Sequence, residues 1–140
     1  MGRCMTYINA TGQIGAEGRY WDALAKGRIE LPRCKGCGKW HWPAVWRCGE
    51  CGSWDHEWVE QPMAGTIFTW TRTHHRFGGT EGIALPYVTA LVELASVPVR
   101  LQGLLEGVEQ DLKIGAQVVG RVGSTPFGDA QIPSLRWKIA

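Results

Sequence analysis

The sequence contains no hydrophobic run long enough to cross a lipid bilayer, which takes about 20 consecutive apolar residues. It has no secretory signal, and it carries little excess charge, with a formal net charge of +2 over 140 residues. A net charge this small does not by itself indicate nucleic-acid binding. These absences leave neither a membrane nor a nucleic acid among the expected partners. An unpaired Cys4 beside four cysteines with metal-ligand spacing indicates a reducing compartment, so a cytoplasmic protein is expected.

Motifs for catalysis are also lacking. The sequence has no Ser/His/Asp arrangement, no glycine-rich phosphate loop with a lysine, and no pair of carboxylates in a motif. A free nucleophilic cysteine would have to be Cys4, which lies in residues 1–16. That segment lacks apolar periodicity and is interpreted as a loose N-terminal arm. We therefore do not expect this chain to catalyse a reaction alone.

Four of the five cysteines form two Cys-x-x-Cys pairs, Cys34/Cys37 and Cys48/Cys51, separated by ten residues. The two-residue spacing within a pair lets a tight turn point both sulfurs at one centre. Four thiolates close a tetrahedron around Zn²⁺ and leave no open position, which is the structural kind of zinc site. The spacing predicts a structural zinc site, with a short hairpin between the two pairs.

Other uses of these cysteines fit the sequence less well. The absence of a secretory signal disfavours disulfides, and a thioredoxin-like site has one Cys-x-x-Cys pair that opens a helix rather than two matched pairs. Iron can replace zinc in such a site, so iron stays open as the alternative metal. Gly38 and Gly52 each follow the second cysteine of a pair, where a positive φ is often required.

Basic residues flank the four cysteines. Four thiolates and one Zn²⁺ carry a net charge of −2, which neighbouring cations can offset through charge and N–H···S contacts. Each of these cations could equally be a solvated surface residue. The flanking basic residues are Arg33, Lys35, Lys39 and Arg47.

Residues 17–28 predict a short helix that ends near Gly27. Its predicted inner face consists of Trp21, Leu24, Ala25 and Arg28. Five of the eight tryptophans follow within residues 40–58, and a ribbon of this size cannot bury five indoles. Some of them are therefore candidates for a protein interface. The tryptophans expected at a partner interface are Trp21, Trp40, Trp42 and Trp46.

Two histidines in the same region, His41 and His56, could in principle bind a metal. Because four sulfurs already complete the tetrahedron, we interpret both histidines as ordinary polar positions.

After Pro62 the pattern becomes β, with β-branched and aromatic residues in short runs separated by glycine-rich connections. The predicted strands are residues 65–73, 86–94, 99–105, 117–122 and 134–139. Five short strands of this kind favour a small Greek-key barrel of the OB type. The loop of residues 74–85 joins the first two strands, and in OB folds that loop borders the binding face.

The order of these motifs resembles one family over roughly residues 17–139. The motifs that carry the resemblance are a helix with Tyr20-Trp21, Leu31-Pro32-Arg33-Cys34, two Cys-x-x-Cys-Gly motifs around an aromatic-Pro segment, residues 65–71, 86–88, 91–94 and 112–115. The sequence is similar to an acyl-CoA-associated family in which a rubredoxin-like zinc ribbon precedes an OB fold. The resemblance implies a mainly β protein with an arm (1–16), a helix plus ribbon (17–61) and an OB domain (62–140).

The resemblance also implies a function. Members of that family are companion subunits of thiolase-superfamily enzymes of the thiolase or aldolase type. Their partner carries the catalytic Cys and His, while the OB domain can border the site of the coenzyme A thioester. On these grounds the chain is expected to form a hetero-oligomer with a thiolase-like protein, with acyl-CoA at or near the interface. The alternative is a nucleic-acid-binding zinc-ribbon/OB module, which a barrel with only one excess positive charge disfavours.

A cluster at the start of the 74–85 loop is the candidate acyl-CoA-binding segment. Its cations could meet the phosphates of coenzyme A, and its aromatic ring could cover apolar parts of the ligand. It could also be an ordinary solvated strand end. The residues of this cluster are Arg72, His74, His75, Arg76 and Phe77.

Overall fold

The computed structural model describes residues 15–140. The predicted N-terminal arm lies outside the described residues except for its last two positions. The described chain is mainly β, as predicted, with one short helix and seven strands. It divides into two compact units at the junction between Pro62 and Met63. No helix in the described part of the chain is long and apolar enough to cross a membrane.

The helix, α1, runs from Gly18 to Ala25 and packs on the strand that follows it. Its end is a Schellman motif, in which the N–H of Arg28 donates to the carbonyl of Ala23 and Gly27 adopts a φ of +81°. The helix is therefore shorter than predicted, and Arg28 lies beyond it.

The buried face of α1 also differs from the prediction. The structure buries Tyr20, Ala23 and Leu24, whereas Trp21 is only half-buried and Ala25 is exposed. The predicted face was wrong because the helical spacing was counted as far as Arg28, whereas the helix ends at Ala25. The ring of Tyr20 instead packs against Trp42 and sets the rotation of the helix.

Two antiparallel strands hold the metal loop in the first unit. Strand β1 (Ile29–Cys34) pairs with β2 (His56–Gln61), so that Cys34 lies opposite His56. Ile29 and Leu31 are fully buried beneath α1. Neither strand was predicted, and the expected hairpin between the two cysteine pairs is wrong. The described chain has no strand between the two cysteine pairs. Trp40, which lies between them, forms an isolated β-bridge with Arg33.

The second unit is a closed five-stranded barrel, which confirms the OB-type prediction. Its strands are β3 (Ala64–Thr73), β4 (Tyr87–Leu94), β5 (Arg100–Leu105), β6 (Gln117–Phe127) and β7 (Ala130–Ile139). They close in the order β3-β4-β5-β7-β6, with β5 and β7 parallel and the other neighbours antiparallel. This arrangement is that of an OB fold.

One indole fills the centre of the barrel. Trp137 on β7 is 0% exposed. Glycines on two neighbouring strands make room for it, since a Cβ at Gly103 or Gly120 would lie 2.8 Å from a carbon of the indole ring. Aliphatic side chains surround it on the inner faces of the strands. The core includes Ile67, Val88, Val92, Leu101, Val118 and Leu135.

The hairpin of β6 and β7 is longer than predicted. Its register continues to Phe127 opposite Ala130, well beyond the predicted ends of both strands. The tip packs on the loop between β3 and β4, because a Cβ at Gly79 would lie 2.7 Å from the Phe127 ring. The Pro126 side chain approaches Gly82 in the same way.

Candidate metal centre and partner-facing residues

The four cysteine Sγ atoms all lie within 4.8 Å of one another. The Sγ atom of Cys34 is 3.5 Å from that of Cys51, and the Sγ atom of Cys37 is 3.7 Å from that of Cys48. A tetrahedral site with Zn–S bonds of about 2.3 Å has S···S edges of about 3.8 Å. The arrangement therefore fits one tetrahedral ion held by four thiolates, and it is a structural metal site.

The first cysteine pair lies in a tight, braced turn. The N–H of Gly38 donates to the carbonyl of Cys34 at 2.8 Å, and the N–H of Cys34 donates to the carbonyl of Lys39 at 2.8 Å. Gly38 has a φ of +80°, which confirms that this position needs glycine. The Nε of Arg33 donates to the Gly38 carbonyl at 3.1 Å and braces the turn from outside.

The second pair repeats the first in every one of these contacts. The N–H of Gly52 donates to the carbonyl of Cys48 at 2.9 Å, and the N–H of Cys48 donates to the carbonyl of Ser53 at 2.8 Å. Gly52 has a φ of +78°, and the Nε of Arg47 donates to its carbonyl at 3.0 Å. The metal site is therefore built from two copies of one Arg-Cys-x-x-Cys-Gly turn.

Close approach requires a third glycine. A Cβ at Gly36 would lie 2.9 Å from the Sγ of Cys51 and 3.1 Å from the Cβ of Ser53. A side chain at this position would push the two halves of the site apart.

Backbone N–H groups prepare the buried sulfurs for the thiolate form. A hydrogen bond from the backbone of Cys37 outweighs burial and lowers the pKa of Cys34 to about 6. A corresponding bond from the backbone of Cys51, helped by the side chain of His41, lowers the pKa of Cys48 to about 7. Because thiolates are the metal-binding form, these contacts favour metal binding by Cys34 and Cys48. Despite a backbone hydrogen bond from Ser53, the neighbouring sulfurs raise the pKa of Cys51 to about 11, so a bound metal has to displace the proton of that thiol.

The flanking basic side chains bind oxygen rather than sulfur, so the predicted N–H···S contacts are wrong. Both arginines donate to glycine carbonyls of the turns, and the Nζ of Lys39 lies 2.8 Å from Glu50. The Nζ of Lys35 is 3.9 Å from Asp55. Lys39 still interacts electrostatically with the sulfurs. Its pKa is raised first by the hydrogen bond with Glu50 and then by the charges of the thiolates, including that of Cys48. Lys39 therefore interacts with the charge of the site without contacting a sulfur.

The two histidines are not ordinary polar positions, although neither belongs to the four-residue ligand group. His41 is only 9% exposed, and its ring centroid lies 5.4 Å from that of His56. The Nε2 atoms of both rings are buried without a hydrogen-bond partner in the structure. The interpretation of His41 as an ordinary polar position was wrong, because its ring is buried and its side chain forms a hydrogen bond with Cys48.

The tryptophans predicted to meet a partner all keep some exposure. Trp21 and Trp42 both pack on Tyr20, with ring centroids 5.6 Å and 4.3 Å away. Trp40 lies beneath the guanidinium of an arginine. Trp46 is the most open of the four, at 41% exposed.

The two arginines of the predicted acyl-CoA cluster are engaged within the barrel unit. The Nη2 of Arg72 lies 2.6 Å from Glu109, and its guanidinium covers the ring of Trp70. Arg76 donates from Nη1 to the backbone carbonyls of Thr80 and Ile83. Arg76 therefore shapes the loop between β3 and β4, whereas Arg72 ties the end of β3 to the loop between β5 and β6.

The other members of the cluster face outward. His74, His75 and Phe77 are exposed, and the rings of His75 and Phe77 meet edge to face at 4.8 Å. Phe127 lies at the tip of the β6–β7 hairpin that packs on the same loop, and it is 56% exposed. Sequence reasoning missed Phe127 because the hairpin was predicted to end before this position.

Family comparisons match both units of the chain. Residues 21–57 match the domain described as "ChsH2, rubredoxin-like zinc ribbon domain". Residues 58–122 match "ChsH2, C-terminal OB-fold domain". The chain belongs to the ChsH2 family. The resemblance inferred from the sequence is thereby confirmed, as are the zinc-ribbon and OB-fold domains.

Relatives and solved structures agree with the family. A "Probable enoyl-CoA hydratase alpha subunit" from Thermomonospora curvata is 32% identical over 108 residues, which are 76% of this chain and 33% of the relative. The chain thus spans about a third of the length of that curated relative. A solved "Ltp2-ChsH2(DUF35) aldolase" chain matches with a TM-score of 0.76 and 26% identity, covering 89% of this chain and 94% of that chain. A DUF35 protein of unknown function from Sulfolobus solfataricus matches with a TM-score of 0.58 and 23% identity, covering 89% and 85% of the two chains, and shares the fold.

Proposed function

We propose that this chain is a zinc-binding, non-catalytic companion subunit of a thiolase-superfamily acyl-CoA enzyme. The observation that carries the proposal is the structural match to the chain of an Ltp2–ChsH2 aldolase, which spans 94% of that chain with a TM-score of 0.76. The match covers both the ribbon and the barrel, so the likeness extends to the whole described architecture. The name of the curated relative, an enoyl-CoA hydratase subunit, also supports an acyl-CoA context.

The metal site supports a structural role for the ion. Four sulfurs at tetrahedral separations leave no coordination position for water or substrate. Zinc held there would fix the two turns relative to each other without taking part in a reaction. The ligands would be Cys34, Cys37, Cys48 and Cys51.

The partner surface is proposed to include α1 and the tryptophan-rich loop of the ribbon. Trp46 is 41% exposed, and the partly open rings of Trp21 and Trp42 flank Tyr20. Large aromatic rings that stay open on a small unit are typical of protein interfaces.

In this proposal the loop between β3 and β4 borders the acyl-CoA site. Arg76 holds the loop in shape through the carbonyls of Thr80 and Ile83, and Arg72 fixes the end of β3 beside it by pairing with Glu109 in the loop between β5 and β6. The exposed rings of His75 and Phe77 are then the groups that reach toward the ligand. The expected contribution is positioning, with the chemistry in the partner.

Co-purification tests the proposal. The tagged chain would be expressed with an untagged thiolase-like protein encoded beside it, and the complex would be assayed on candidate acyl-CoA substrates. We expect a stable hetero-oligomer whose activity needs both chains. The companion role would be refuted by two results together. The folded, metal-loaded chain would capture no thiolase-like protein, and adding it would leave the activity of the thiolase-like protein unchanged.

Kinetics of the assembled complex test the loop. Arg72→Ala combined with Arg76→Ala removes both braces, so the KM for acyl-CoA should rise several-fold while assembly stays intact. Arg100→Ala is the control, since Arg100 pairs with Glu93 near the end of β4 that lies away from the loop between β3 and β4. Unaltered kinetics in an intact complex would leave the subunit a purely architectural role.

A further inference from the structure

Three cations lie together on the outer face of the β6–β7 hairpin. Arg121 on β6 is directly opposite Arg136 on β7, and Lys138 is the next outward-facing residue of β7, opposite Val119. Like charges directly opposite each other destabilise a sheet. This face therefore has an electrostatic cost that an anion would relieve.

One carboxylate faces these cations. Glu106, just after β5, accepts a forked hydrogen bond from Arg121, with its Oε2 2.7 Å from Nη2. The pKa of Glu106 is lowered first by this bond and further by the charges of Arg136 and Lys138, so all three cations act on the same carboxylate. Three positive charges against one negative charge leave an excess of two.

The geometry brings the guanidinium groups to one point. A Cβ at Gly123 would lie 3.1 Å from the Nε of Arg136 and 3.5 Å from the Nη1 of Arg121. The absence of a side chain at Gly123 lets both groups converge. Arg136 is held there by uncharged oxygens. Its Nη2 donates to the Oγ1 of Thr125 at 2.7 Å and to the carbonyl of Ser124 at 3.1 Å, and its Nε donates to the Oγ of Ser134 at 3.2 Å. None of these partners neutralises the guanidinium charge.

We propose that Arg121, Arg136 and Lys138 form a binding site for a phosphate monoester on the outer face of the β6–β7 hairpin. Guanidinium groups and an ammonium group, with hydroxyls beside them, match the several oxygens and the double charge of such a group. The cluster is compact, and the barrel unit as a whole is nearly neutral, with seven Lys or Arg against six Asp or Glu. It therefore fits a single phosphate better than the extended backbone of a nucleic acid.

Two sources could supply the phosphate. Coenzyme A carries a phosphate monoester on its ribose, and small phosphorylated metabolites carry the same group. Only the first source rests on the function proposed above. Dephospho-coenzyme A, which lacks that monoester but keeps the rest of the molecule, distinguishes the two.

Calorimetric titration of the full metal-loaded chain, without any partner, tests the site with inorganic phosphate, coenzyme A and dephospho-coenzyme A. Lys138→Gln and Arg136→Gln should each weaken phosphate binding about tenfold. Glu106→Gln should strengthen binding several-fold, because it removes the competing carboxylate. Lys113→Gln, which makes the same charge change in the exposed loop before β6, should leave affinity unchanged.

Opposite effects of the lysine and glutamate variants would support the site. Tighter binding of coenzyme A than of both dephospho-coenzyme A and inorganic phosphate would identify coenzyme A as the source, because the rest of the molecule then adds affinity. Saturable binding of inorganic phosphate that is as tight as that of coenzyme A would favour free phosphorylated metabolites. Absence of saturable binding by any probe, or equal losses in Lys138→Gln and Lys113→Gln, would overturn the proposal. Lys138→Gln keeps the test decisive if Arg136→Gln fails to fold. Because no partner is present, failure here is distinct from failure to assemble.

Discussion

At the scale of single residues, the metal centre depends on glycine as much as on cysteine. Gly38 and Gly52 supply the positive φ that ends each turn, and Gly36 lets the second turn approach the first. Arg33 and Arg47 donate hydrogen bonds to the carbonyls of Gly38 and Gly52, respectively. Each glycine therefore both ends a turn and accepts the hydrogen bond that braces it.

The first prediction concerns a ligand. Cys34→Ser should lose the metal and the fold of the ribbon together, because tetrathiolate binding contributes on the order of 10 kcal/mol to small ribbons. Metal content by elemental analysis and solubility after purification check this.

Cys4→Ser makes the same chemical change outside the ligand set and serves as the control. A metal-free Cys34→Ser protein that stayed folded and still bound its partner would show that the ion is dispensable.

The second prediction concerns the barrel core. Gly120→Ala places a methyl group 2.8 Å from the Trp137 ring and 2.9 Å from the Cβ of Met63. Overpacking of this kind should lower the free energy of unfolding by about 1–3 kcal/mol. Urea unfolding measures the change, and Gly78→Ala is the control because its new Cβ would meet no atom within 4 Å. Equal stability of the two variants would contradict this account of the core.

At the scale of secondary-structure elements, the sequence predicted what local patterns encode. The five barrel strands and the two cysteine turns follow from β-branched runs and from Cys-x-x-Cys spacing, and all of them were found. The pair β1–β2 was missed because its partners are 22 or more residues apart, and no local pattern records which distant strands meet. The extra length of the β6–β7 hairpin was missed because glycine and proline in that segment weaken the strand signal.

Side-chain partners were the least predictable part of the candidate site. Arg72 and Arg76 were expected to meet a ligand, but tertiary contacts bind them to Glu109 and to carbonyls of their own loop. The convergence of Arg121 and Arg136 was also invisible in the sequence, since it depends on the register of β6 against β7.

The third prediction concerns the link between the end of β5 and β6. The hydrogen bond from Arg121 lowers the pKa of Glu106, so its stabilisation is present above the ordinary glutamate pKa of about 4.3 and is lost as pH falls through the folded-state value. Glu106→Gln should therefore cost less than about 1 kcal/mol at pH 7, because the Arg121 side chain is 62% exposed, and almost nothing near pH 3.

Unfolding free energies across that pH range check the prediction. High salt should shrink the difference at pH 7, since exposed charges are screened. A cost that stayed constant with pH would assign the effect to packing rather than to charge.

At the scale of the whole molecule, the chain joins two compact units that are stabilised in different ways. The barrel has its own apolar core around Trp137, while the ribbon combines a small apolar cluster under α1 with the metal centre. The partly open tryptophans are concentrated in the ribbon unit, which has six of them against Trp70 alone in the barrel, whereas the barrel exposes three phenylalanine rings, Phe68, Phe77 and Phe127. Because indoles are enriched among the residues that dominate interfaces, their distribution favours the ribbon as the main site of partner binding.

The fourth prediction follows from that distribution. Trp46→Ala should weaken capture of the thiolase-like partner by tenfold or more, because open indoles at interface centres often contribute over 1 kcal/mol. Trp54→Ala is a matched control, since Trp54 is even more exposed, at 59%, and lies outside the predicted surface. A pull-down with both variants, each checked for metal content and folding, decides the matter. If Trp54→Ala alone weakened capture, the interface would lie elsewhere on the ribbon.

The distribution of indoles also gives the chain an optical readout of each unit. Six tryptophans precede the junction at Pro62, and all of them keep some contact with solvent. In the barrel Trp70 is partly exposed, so it adds to the quenchable emission, whereas Trp137 is fully enclosed. Trp137 should emit at shorter wavelength and resist a collisional quencher such as acrylamide, while the ribbon indoles emit at longer wavelength and are quenched. Stripping the metal with a chelator would then alter the quenchable emission first, and the protected emission would disappear only when the barrel itself opens.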